Sequence, residues 1–456
     1  MLAFDEGHLA ITVRMKEEEK VEEMRKTVLD YKANMNDLLF FSNEAKASAY
    51  TVSAENFVRL VTESNITCID VRSPAEFARG FIPCKNSLNL PLFTNDERHK
   101  VGVQYKREGK GPAMLMGMRM VAPKLNGMLE IVRSFYAAST KDNPFSFRMH
   151  SLPSSRRPLV AVHCWRGGMR SASVAWWLRC SGFDVVLLKG GYKAYREWAL
   201  NIYTTTLPRL WARTQELSIP CKPRICIVGG RTGSGKTRIL HAMKSVGAQV
   251  LDLEGLANHR GSAFGWIAQD PQPTSEQFMN DCANIWKSFD TREWIFVEDE
   301  GPAVGKCSVP PVLYTHMRGA PLVVQVVVPM EARLQLLVED YSGTEALSKS
   351  SDWQERIIES IERMVKRLGG DRTKAAVDAV ISGNMRLVAE ILIMYYDKLY
   401  DRHIANEGGN GSGKGQRSGS IVRVEVPPDA KELDAFAVGA QVIQQAKIYE
   451  EKANEG

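Results

Sequence analysis

The sequence predicts an α/β protein with two parallel-sheet domains, the second of which continues into a helical C-terminal part. Two observations support this prediction. Short apolar segments alternate with helical segments, and two of the apolar segments run directly into a glycine-rich loop that begins a helix. Such alternation favours parallel sheets, whose functional loops lie at the carboxyl ends of the strands. The 456 residues suffice for two or three domains, because single cores rarely exceed about 250 residues.

The composition is typical of a globular protein. The chain has 44% apolar and 25% charged residues, and it has neither a long uncharged apolar run nor an apolar N-terminus. We therefore expect no membrane span, no secretory signal and, by default, a cytoplasmic location. The formal net charge of +6 permits a nucleic-acid partner without indicating one. The eight cysteines lack metal-ligand spacing, so we expect neither disulfides nor a zinc site.

The first domain is predicted over residues 46–205, after a charged helical extension at 1–45. Its first strand ends at Asp70, and the following Ser73-Pro74 pair is typical of a helix start, where Ser caps the first turn and Pro fits. We expect Asp70 and Arg72 to fix the turn from strand to helix rather than to perform chemistry. Two further strands are predicted at residues 158–163 and 184–188.

The loop after residue 163 is the first candidate site. Inward backbone N–H groups and a helix N-terminus would stabilise negative charge on the Cys164 sulfur, which favours a nucleophilic thiolate. Paired glycines let these amides turn inward, and Arg170 can close a ring around a tetrahedral anion. We predict Cys164 as the catalytic nucleophile, followed by an anion-binding loop of Arg166, Gly167, Gly168, Met169 and Arg170. The same Cys-x5-Arg spacing also describes cysteine phosphatases, so both chemistries stay open at this point.

The second domain, predicted over residues 206–405, contains the pattern GxxxxGK[ST] between an apolar strand and a helix. Such a loop presents backbone N–H groups and a lysine to phosphates. The predicted phosphate-binding residues are Gly230, Gly233, Ser234, Gly235, Lys236 and Thr237. If a metal binds, we expect Mg²⁺ on the Thr237 hydroxyl. A later strand, predicted at residues 294–298, ends in adjacent acidic residues. We expect one of them, Glu298 or Asp299, to be the acidic partner of the P-loop.

The C-terminal region is divided by its composition. Residues 331–405 have a helical pattern, whereas residues 406–456 are predicted as a Gly/Ser linker and tail that includes a strand at 421–426 and a polar helix. The glycine spacing of the P-loop is repeated at 408–414. We assign that repeat no function, because no strand precedes it and Gly415 follows its lysine.

Several motifs together resemble the tRNA 2-selenouridine synthase family. The resemblance runs from about residue 52 to residue 405 and is carried by residues 70–83, which resemble the rhodanese signature, and by 97–102, 164–171, 190–196, 229–237, 251–262, 297–300 and 395–397. It implies a rhodanese-like domain joined to a P-loop NTPase-like domain. It also implies action on wobble 2-thiouridine in tRNA, first by S-geranylation with geranyl diphosphate and then by replacement of the geranylated sulfur with selenium from selenophosphate.

The resemblance gives each loop an expected ligand. Selenophosphate is a tetrahedral anion suited to the Cys164 loop, where Arg166 and Arg170 would hold its phosphate. Geranyl diphosphate would suit the P-loop, although the sequence does not distinguish it from ATP or a tRNA phosphate. His259 and Arg260 are expected to contact tRNA phosphate. We expect selenophosphate and geranyl diphosphate as co-substrates, no tightly bound cofactor and no protein partner.

The sequence also departs from the family pattern. Phe81 and Cys84 stand where His and Gly are usual, and Gly301 stands where Ser is common, which leaves the substrate preference open. We expect Cys84 to pack in the interior rather than to act as a second thiol near Cys164. The core is also where we expect three tryptophans, Trp165, Trp176 and Trp177. Two other function classes remain: a cysteine-dependent phosphatase or sulfurtransferase fused to a nucleotide-binding domain, and a non-catalytic tRNA-binding protein.

Overall fold

The computed structural model describes residues 50–64, 66–139, 157–204, 223–262, 264–267, 269–342, 353–408 and 419–455. The predicted extension at 1–45 and the predicted domain boundary at 205/206 lie outside these residues. The chain divides into two compact units, one ending at Trp198 and the other beginning at Ala199. Each unit has its own parallel sheet, which confirms the predicted α/β class. Within the described ranges, no helix is both long enough and apolar enough to cross a membrane.

Five parallel strands form the sheet of the first unit, in the order β1-β5-β4-β2-β3. The strands are Thr51–Val52 (β1), Thr67–Asp70 (β2), Ser87–Asn89 (β3), Leu159–His163 (β4) and Asp184–Leu188 (β5). The helices are Ala54–Glu63 (α1), Pro74–Arg79 (α2), Asn95–Glu108 (α3), Lys110–Val121 (α4), Leu125–Ser139 (α5), Met169–Cys180 (α6) and Gly191–Asn201 (α7). Asp70 pairs in register with His163, so the loops after β2 and β4 leave the same edge of the sheet.

A buried ion pair fixes the turn after β2. The Arg72 guanidinium donates to both carboxylate oxygens of Asp70 at 2.6–3.0 Å and to the carbonyl oxygen of Gly80 at 2.6 Å. It also lies 3.6 Å from the ring centre of Tyr192. Both charged side chains are at most 1% exposed. These contacts agree with the structural role predicted for Asp70 and Arg72.

Replacing Arg72 with Met is expected to lower the free energy of unfolding by about 3–5 kcal/mol, because the buried Asp70 carboxylate would lose its counter-charge. Urea unfolding followed by circular dichroism measures this loss. Asp290 and Arg292 form a matched control, since they make the same carboxylate–guanidinium pair two residues apart in an exposed turn. Arg292→Met should leave the urea midpoint nearly unchanged, and equal losses in both variants would contradict the interpretation.

The second unit also has a five-stranded parallel sheet, in the order β12-β11-β6-β8-β7. Its strands are Ile225–Gly229 (β6), Gln249–Leu251 (β7), Ile295–Glu298 (β8), Leu322–Val327 (β11) and Ser420–Glu425 (β12), and a separate antiparallel pair is formed by Ala303–Val304 (β9) and Cys307–Ser308 (β10). The helices near the sheet in sequence are Lys236–Ser245 (α8), Leu253–Leu256 (α9), Ser275–Trp286 (α10) and Pro311–Arg318 (α11). Strand β6, which leads into the P-loop, lies between β8 and β11.

The helical C-terminal part is present as predicted. Its described helices are Met330–Ser342 (α12), Trp353–Glu362 (α13), Val365–Leu368 (α14), Gly370–Ile381 (α15) and Met385–Gly408 (α16). They enclose an apolar core, separate from the core of the sheet, that includes Ile361, Val380 and Leu392. This core also takes in Leu334 and Leu337 of α12, the helix that follows β11. The helical part is therefore packed as a continuation of the P-loop unit.

The C-terminal residues belong to this unit as well, which differs from the predicted linker and tail at 406–456. Strand β12 pairs with β11 along its whole length. The last helix, Ala435–Glu455 (α17), buries Val438, Val442 and Ala446 in the core of the sheet. Arg423 and Glu425 are exposed on β12, as is common on an edge strand, and this polarity makes the segment look like a tail in the sequence.

Candidate functional site

The loop that joins β4 to α6 is held in shape by its backbone. Gly167 has a φ of +64°, a conformation that favours glycine. The N–H groups of Tyr192 and Lys193 donate to the carbonyl oxygens of Cys164 and Trp165 at 2.8 and 2.9 Å. The start of α7 therefore supports the loop from one side, and the predicted strand–loop–helix arrangement is present.

The Cys164 thiol lies at the base of this loop and is 2% exposed. Its sulfur lies 3.2 Å from the hydroxyl oxygen of Ser171, and that hydroxyl also lies 3.2 Å from the carbonyl oxygen of Gly168. A hydroxyl has one proton, so Ser171 donates either to this carbonyl oxygen or, after rotation, to the sulfur of a Cys164 thiolate. Ser171 was not among the predicted site residues, although its place in the first turn of α6 is a signal that sequence reasoning could have used.

The remaining loop residues have different surroundings. Gly167, Gly168 and Met169 are exposed, and so is the side chain of Arg166. Arg170 instead donates to the Glu76 carboxylate, with 2.9 Å between Nη1 and Oε2. The two loop arginines are therefore not equivalent, because Arg170 is held by a carboxylate whereas the Arg166 side chain is exposed.

Glu76 is a charged residue of this site that the sequence analysis did not single out. Its carboxylate accepts from the Ser73 N–H at 3.0 Å and lies 3.1 Å from Nε of Arg98. Burial acts to raise the pKa of Glu76, but the hydrogen bond and charge of Arg170 outweigh it, so the pKa is lowered. The carboxylate is therefore ionised near neutral pH.

One of the three tryptophans differs from the prediction. Trp177 packs against the core of the first unit and Trp165 is half-buried, but Trp176 is 62% exposed. Helix α6 directs its buried face to the sheet through Val174, Ala175 and Leu178. Because successive residues are rotated by about 100° around a helix, Trp176 points away from that face.

Cys84, the second thiol considered in the sequence, lies beside Cys68. A hydrogen bond with Cys84, followed by burial, raises the pKa of the Cys68 thiol well above its usual value. Cys84 itself is half-buried rather than interior. The described cysteines are free thiols.

The P-loop joins β6 to α8 with the backbone that phosphate binding requires. Gly233 and Gly235 have φ values of +79° and +70°. A Cβ on Gly230 would lie 2.4 Å from the Ser234 hydroxyl oxygen. Lys236 Nζ donates to the Gly230 carbonyl oxygen at 3.2 Å, so its amine folds back over the loop. This amine and the N–H groups at the start of α8 together favour an anion.

The helical part of the unit fixes the tip of the P-loop through Arg333, which is 3% exposed. Its guanidinium donates to the Thr232 carbonyl oxygen at 2.7 and 3.0 Å and to the Asp397 carboxylate at 2.9 Å. Asp397 also lies 3.6 Å from Arg231. Arg333 is not predicted from the sequence, because no local pattern links a residue of α12 to a loop about a hundred positions earlier.

Two carboxylates other than the predicted pair line the space beside the P-loop. The Glu254 carboxylate accepts from the Thr237 hydroxyl at 2.7 Å, and Glu300 lies next to Glu254. Glu298 is instead fully buried, and its Oε2 accepts from the Leu253 N–H at 2.7 Å. Burial, followed by nearby carboxylates, raises the pKa of Glu298 well above its usual value. Glu298 thus serves the packing of α9 rather than the cavity.

These carboxylates bear on the predicted Mg²⁺ site. Among the described residues, no group of three or more His, Cys, Asp or Glu side chains is arranged to hold a metal. The Thr237 hydroxyl and the Glu254 carboxylate are hard oxygen ligands of the kind that Mg²⁺ prefers, and Mg²⁺ usually needs only one or two carboxylates when phosphates supply the rest. They are the residues that would hold Mg²⁺ together with a bound phosphate.

A cavity of about 240 Å³ lies over the P-loop. Its polar lining includes Lys236, Thr237, Arg238, Glu254, Arg260 and Glu300. Its apolar lining consists of Phe264, Ile267, Leu336 and Leu337. The cavity therefore combines a phosphate cradle with a hydrocarbon wall.

The two residues predicted to contact tRNA differ in their surroundings. Arg260 lines the cavity and pairs with Asp340 at 2.8 Å. The His259 N–H donates to the Glu254 carbonyl oxygen at 3.0 Å, and burial lowers the pKa of the imidazole. A neutral imidazole attracts an anion less than a guanidinium does, so of the two side chains that of Arg260 is better suited to a phosphate, and the tRNA contacts stay a prediction.

Glu300 is expected to make the stability of the second unit depend on pH. Burial, followed by the charge of Glu254, raises its pKa from the ordinary value of 4.5 to about 8. The folded state therefore binds this proton more tightly than the unfolded chain, so the free energy of unfolding falls as pH rises from about 4.5 to 8. Glu300→Gln should reduce this fall, which urea unfolding at about pH 6 and pH 9 measures. Glu293→Gln, at an exposed position, is the control, and an unchanged pH dependence in Glu300→Gln would contradict the assignment.

Comparison with known proteins relates both units to one family. Residues 223–422 match the family model described as the tRNA 2-selenouridine synthase AAA domain. The tRNA 2-selenouridine synthase of Sulfurovum sp. is 33% identical over 401 residues, which cover 83% of this chain and 96% of that protein. This chain belongs to the tRNA 2-selenouridine synthase family.

Other members of the tRNA 2-selenouridine synthase family show similar agreement. The synthase of Hydrogenovibrio crunogenus is 32% identical, and the aligned region covers 76% of this chain and 91% of that protein. The synthase of Marinobacter nauticus is 30% identical, and the aligned region covers 76% of this chain and 90% of that protein. Coverage of this extent includes both structural units, so the family predicted from the motifs is confirmed.

Proposed function

We propose that this protein converts wobble 2-thiouridine in tRNA into 2-selenouridine through an S-geranyl intermediate. Geranyl diphosphate would supply the geranyl group and selenophosphate the selenium. Membership of the synthase family supports the overall conversion. The observation that supports two steps is the presence of two loops suited to anions, one with the Cys164 thiol and one with the Lys236 amine.

The cavity over the P-loop suits the geranyl donor. The diphosphate would face Lys236, Thr237 and the N-terminus of α8, while the hydrocarbon chain would lie against Phe264 and Leu336. The thiouridine sulfur would attack the first carbon of the geranyl chain, and the bond from that carbon to the diphosphate oxygen would break. Lys236 and the loop amides would stabilise the charge that develops on the leaving diphosphate.

The Cys164 loop suits the selenium donor. Selenium would replace the geranylated sulfur at C2 of the uracil ring, with release of geranylthiol, and the selenium–phosphorus bond would be hydrolysed to free phosphate. Cys164 would assist this delivery, because its thiolate would attack phosphorus and displace selenium at the selenide level, and water would then cleave the phosphocysteine to free phosphate. The thiol is covered in this conformation, so the proposal requires the exposed loop residues 166–169 to open when selenophosphate binds.

Mass spectrometry of nucleosides tests this function. The protein is incubated with 2-thiouridine tRNA and geranyl diphosphate, with and without selenophosphate. We expect S-geranyl-2-thiouridine without selenophosphate and 2-selenouridine with it. A tRNA that stays bound but yields neither nucleoside would support a binding protein instead.

A cysteine phosphatase is the competing function, and it is favoured by the Cys-x5-Arg spacing together with the Ser171 hydroxyl 3.2 Å from the Cys164 sulfur. Such an enzyme would release phosphate from an aryl phosphate, and the release would be lost in Cys164→Ser. We expect this protein to leave aryl phosphates largely intact.

A further inference from the structure

Two arginines from different helices converge on the carboxylate of Glu76. Arg170 of α6 places Nη1 at 2.9 Å and Nη2 at 3.5 Å from the carboxylate oxygens. Arg98 of α3 places Nε at 3.1 Å from Oε2. The Glu76 side chain is 12% exposed, whereas those of Arg170 and Arg98 are 24% and 51% exposed. The Glu76 side chain is thus mostly enclosed, while both arginine side chains are partly exposed.

Glu76 is itself held by the backbone. Its Oε2 accepts from the Ser73 N–H at 3.0 Å, which forms the capping box at the start of α2. This helix follows the turn that the buried Asp70–Arg72 pair fixes. The negative charge that orients the two arginines therefore has a rigid support.

The arginines keep hydrogen-bonding capacity for a second anion. A guanidinium has five N–H donors in a fixed plane. Arg98 contacts Glu76 through Nε, and Arg170 does so through its Nη groups. Arg170 also lies in the first turn of α6, whose N-terminus follows the Cys164 loop and favours negative charge. Two cations beside one carboxylate leave a net positive charge at this place.

We propose that Glu76 is a positioning residue, which holds Arg170 and Arg98 side by side to bind the oxygens of selenophosphate at the Cys164 loop. The inference rests on the proposed function, since selenophosphate is the ligand assigned to that loop. It also gives a role to Arg98, which belongs to the motif at 97–102 that no other step uses. Glu97 of the same motif caps α3 by accepting from the Thr94 N–H at 2.8 Å.

The test compares the kinetics of selenium transfer in wild type and Glu76→Gln. The amide keeps the size of the side chain and one acceptor oxygen but removes the charge that aligns both arginines. We expect the KM for selenophosphate to rise about tenfold, with kcat changed by less than about twofold and the KM for geranyl diphosphate unchanged. Arg98→Gln should have a similar effect, and the double variant should show little more than either single variant.

A binding measurement separates this inference from the proposed function. Calorimetric titration with inorganic thiophosphate, a stable analogue of selenophosphate, should show about tenfold weaker binding in Glu76→Gln. If wild type and Glu76→Gln bind thiophosphate equally, the inference is overturned and the proposed function stands. If wild type neither binds thiophosphate nor forms 2-selenouridine, the proposed function fails and the inference fails with it.

Two further variants control for structural damage. Glu130→Gln alters an exposed pair in the same unit, in which Glu130 lies 3.2 Å from Arg133, and it should leave the KM for selenophosphate unchanged. Thermal unfolding shows whether loss of the α2 cap destabilises Glu76→Gln. If it does, Arg98→Gln carries the test, because that change leaves the Ser73–Glu76 capping box intact.

Discussion

Cys164→Ser should abolish selenium incorporation, with a loss of at least about a thousandfold in rate, while S-geranylation continues near the wild-type rate. A serine hydroxyl is not ionised near neutral pH and is a weaker nucleophile than a thiolate. The substitution is small, and the Ser171 hydroxyl 3.2 Å away remains as a hydrogen-bond partner, so the loop should keep its shape. A time course of both modified nucleosides by mass spectrometry measures the two steps separately.

Cys180→Ser is the matched control for this experiment. Cys180 is an exposed thiol at the end of the same helix that follows the Cys164 loop. Cys180→Ser should leave the rates of both S-geranylation and selenium incorporation unchanged. Full selenation by Cys164→Ser would remove the catalytic assignment of Cys164.

Lys236→Ala should slow S-geranylation by about a hundredfold to a thousandfold, because removal of one preorganised donor costs roughly this much where charge develops in the transition state. The Lys236 amine folds over the P-loop at 3.2 Å from the Gly230 carbonyl oxygen, where it would meet the diphosphate. Single-turnover assays with geranyl diphosphate and 2-thiouridine tRNA measure the effect. When tRNA that already carries S-geranyl-2-thiouridine is supplied with selenophosphate, the variant should match wild type.

Lys244→Ala provides the comparison for Lys236→Ala. Lys244 is an exposed lysine in the last turn of the same helix, so its removal changes the net charge equally without touching the P-loop. It should geranylate at the wild-type rate. Equal slowing by both variants would show that the effect is a general one of charge, contrary to the assignment.

The local features of both loops were accessible from the sequence. Apolar strand, glycine-rich loop and helix follow one another along the chain, and Cys164 and Lys236 lie where these patterns place them. The pairing of Arg170 with Glu76 and of Arg333 with Thr232 was not accessible, because each joins segments that only the fold brings together. Charge patterns along the chain carry no information about such partners.

The acidic residues at the end of β8 are a second case in which the sequence alone does not identify the side chain that faces the site. The sequence offers three adjacent acids, and which of them faces the cavity depends on where the strand stops. Strand β8 ends at Glu298, and the chain then turns so that the Glu300 N–H donates to the Glu298 carbonyl oxygen at 2.9 Å. This turn brings Glu300 to the cavity and leaves Glu298 inside. A difference of two positions thus decides between a carboxylate that lines the cavity and one that is packed in the interior.

The place of β12 has a practical consequence for anyone who dissects this enzyme. Because β12 covers β11 along its whole length, a fragment that stops before residue 419 would leave the backbone donors and acceptors of an apolar strand uncovered. An exposed edge strand of this kind pairs with strands of other molecules, which leads to aggregation. A truncated P-loop fragment would then precipitate for reasons unrelated to its chemistry, so expression of the second unit should extend through residue 455.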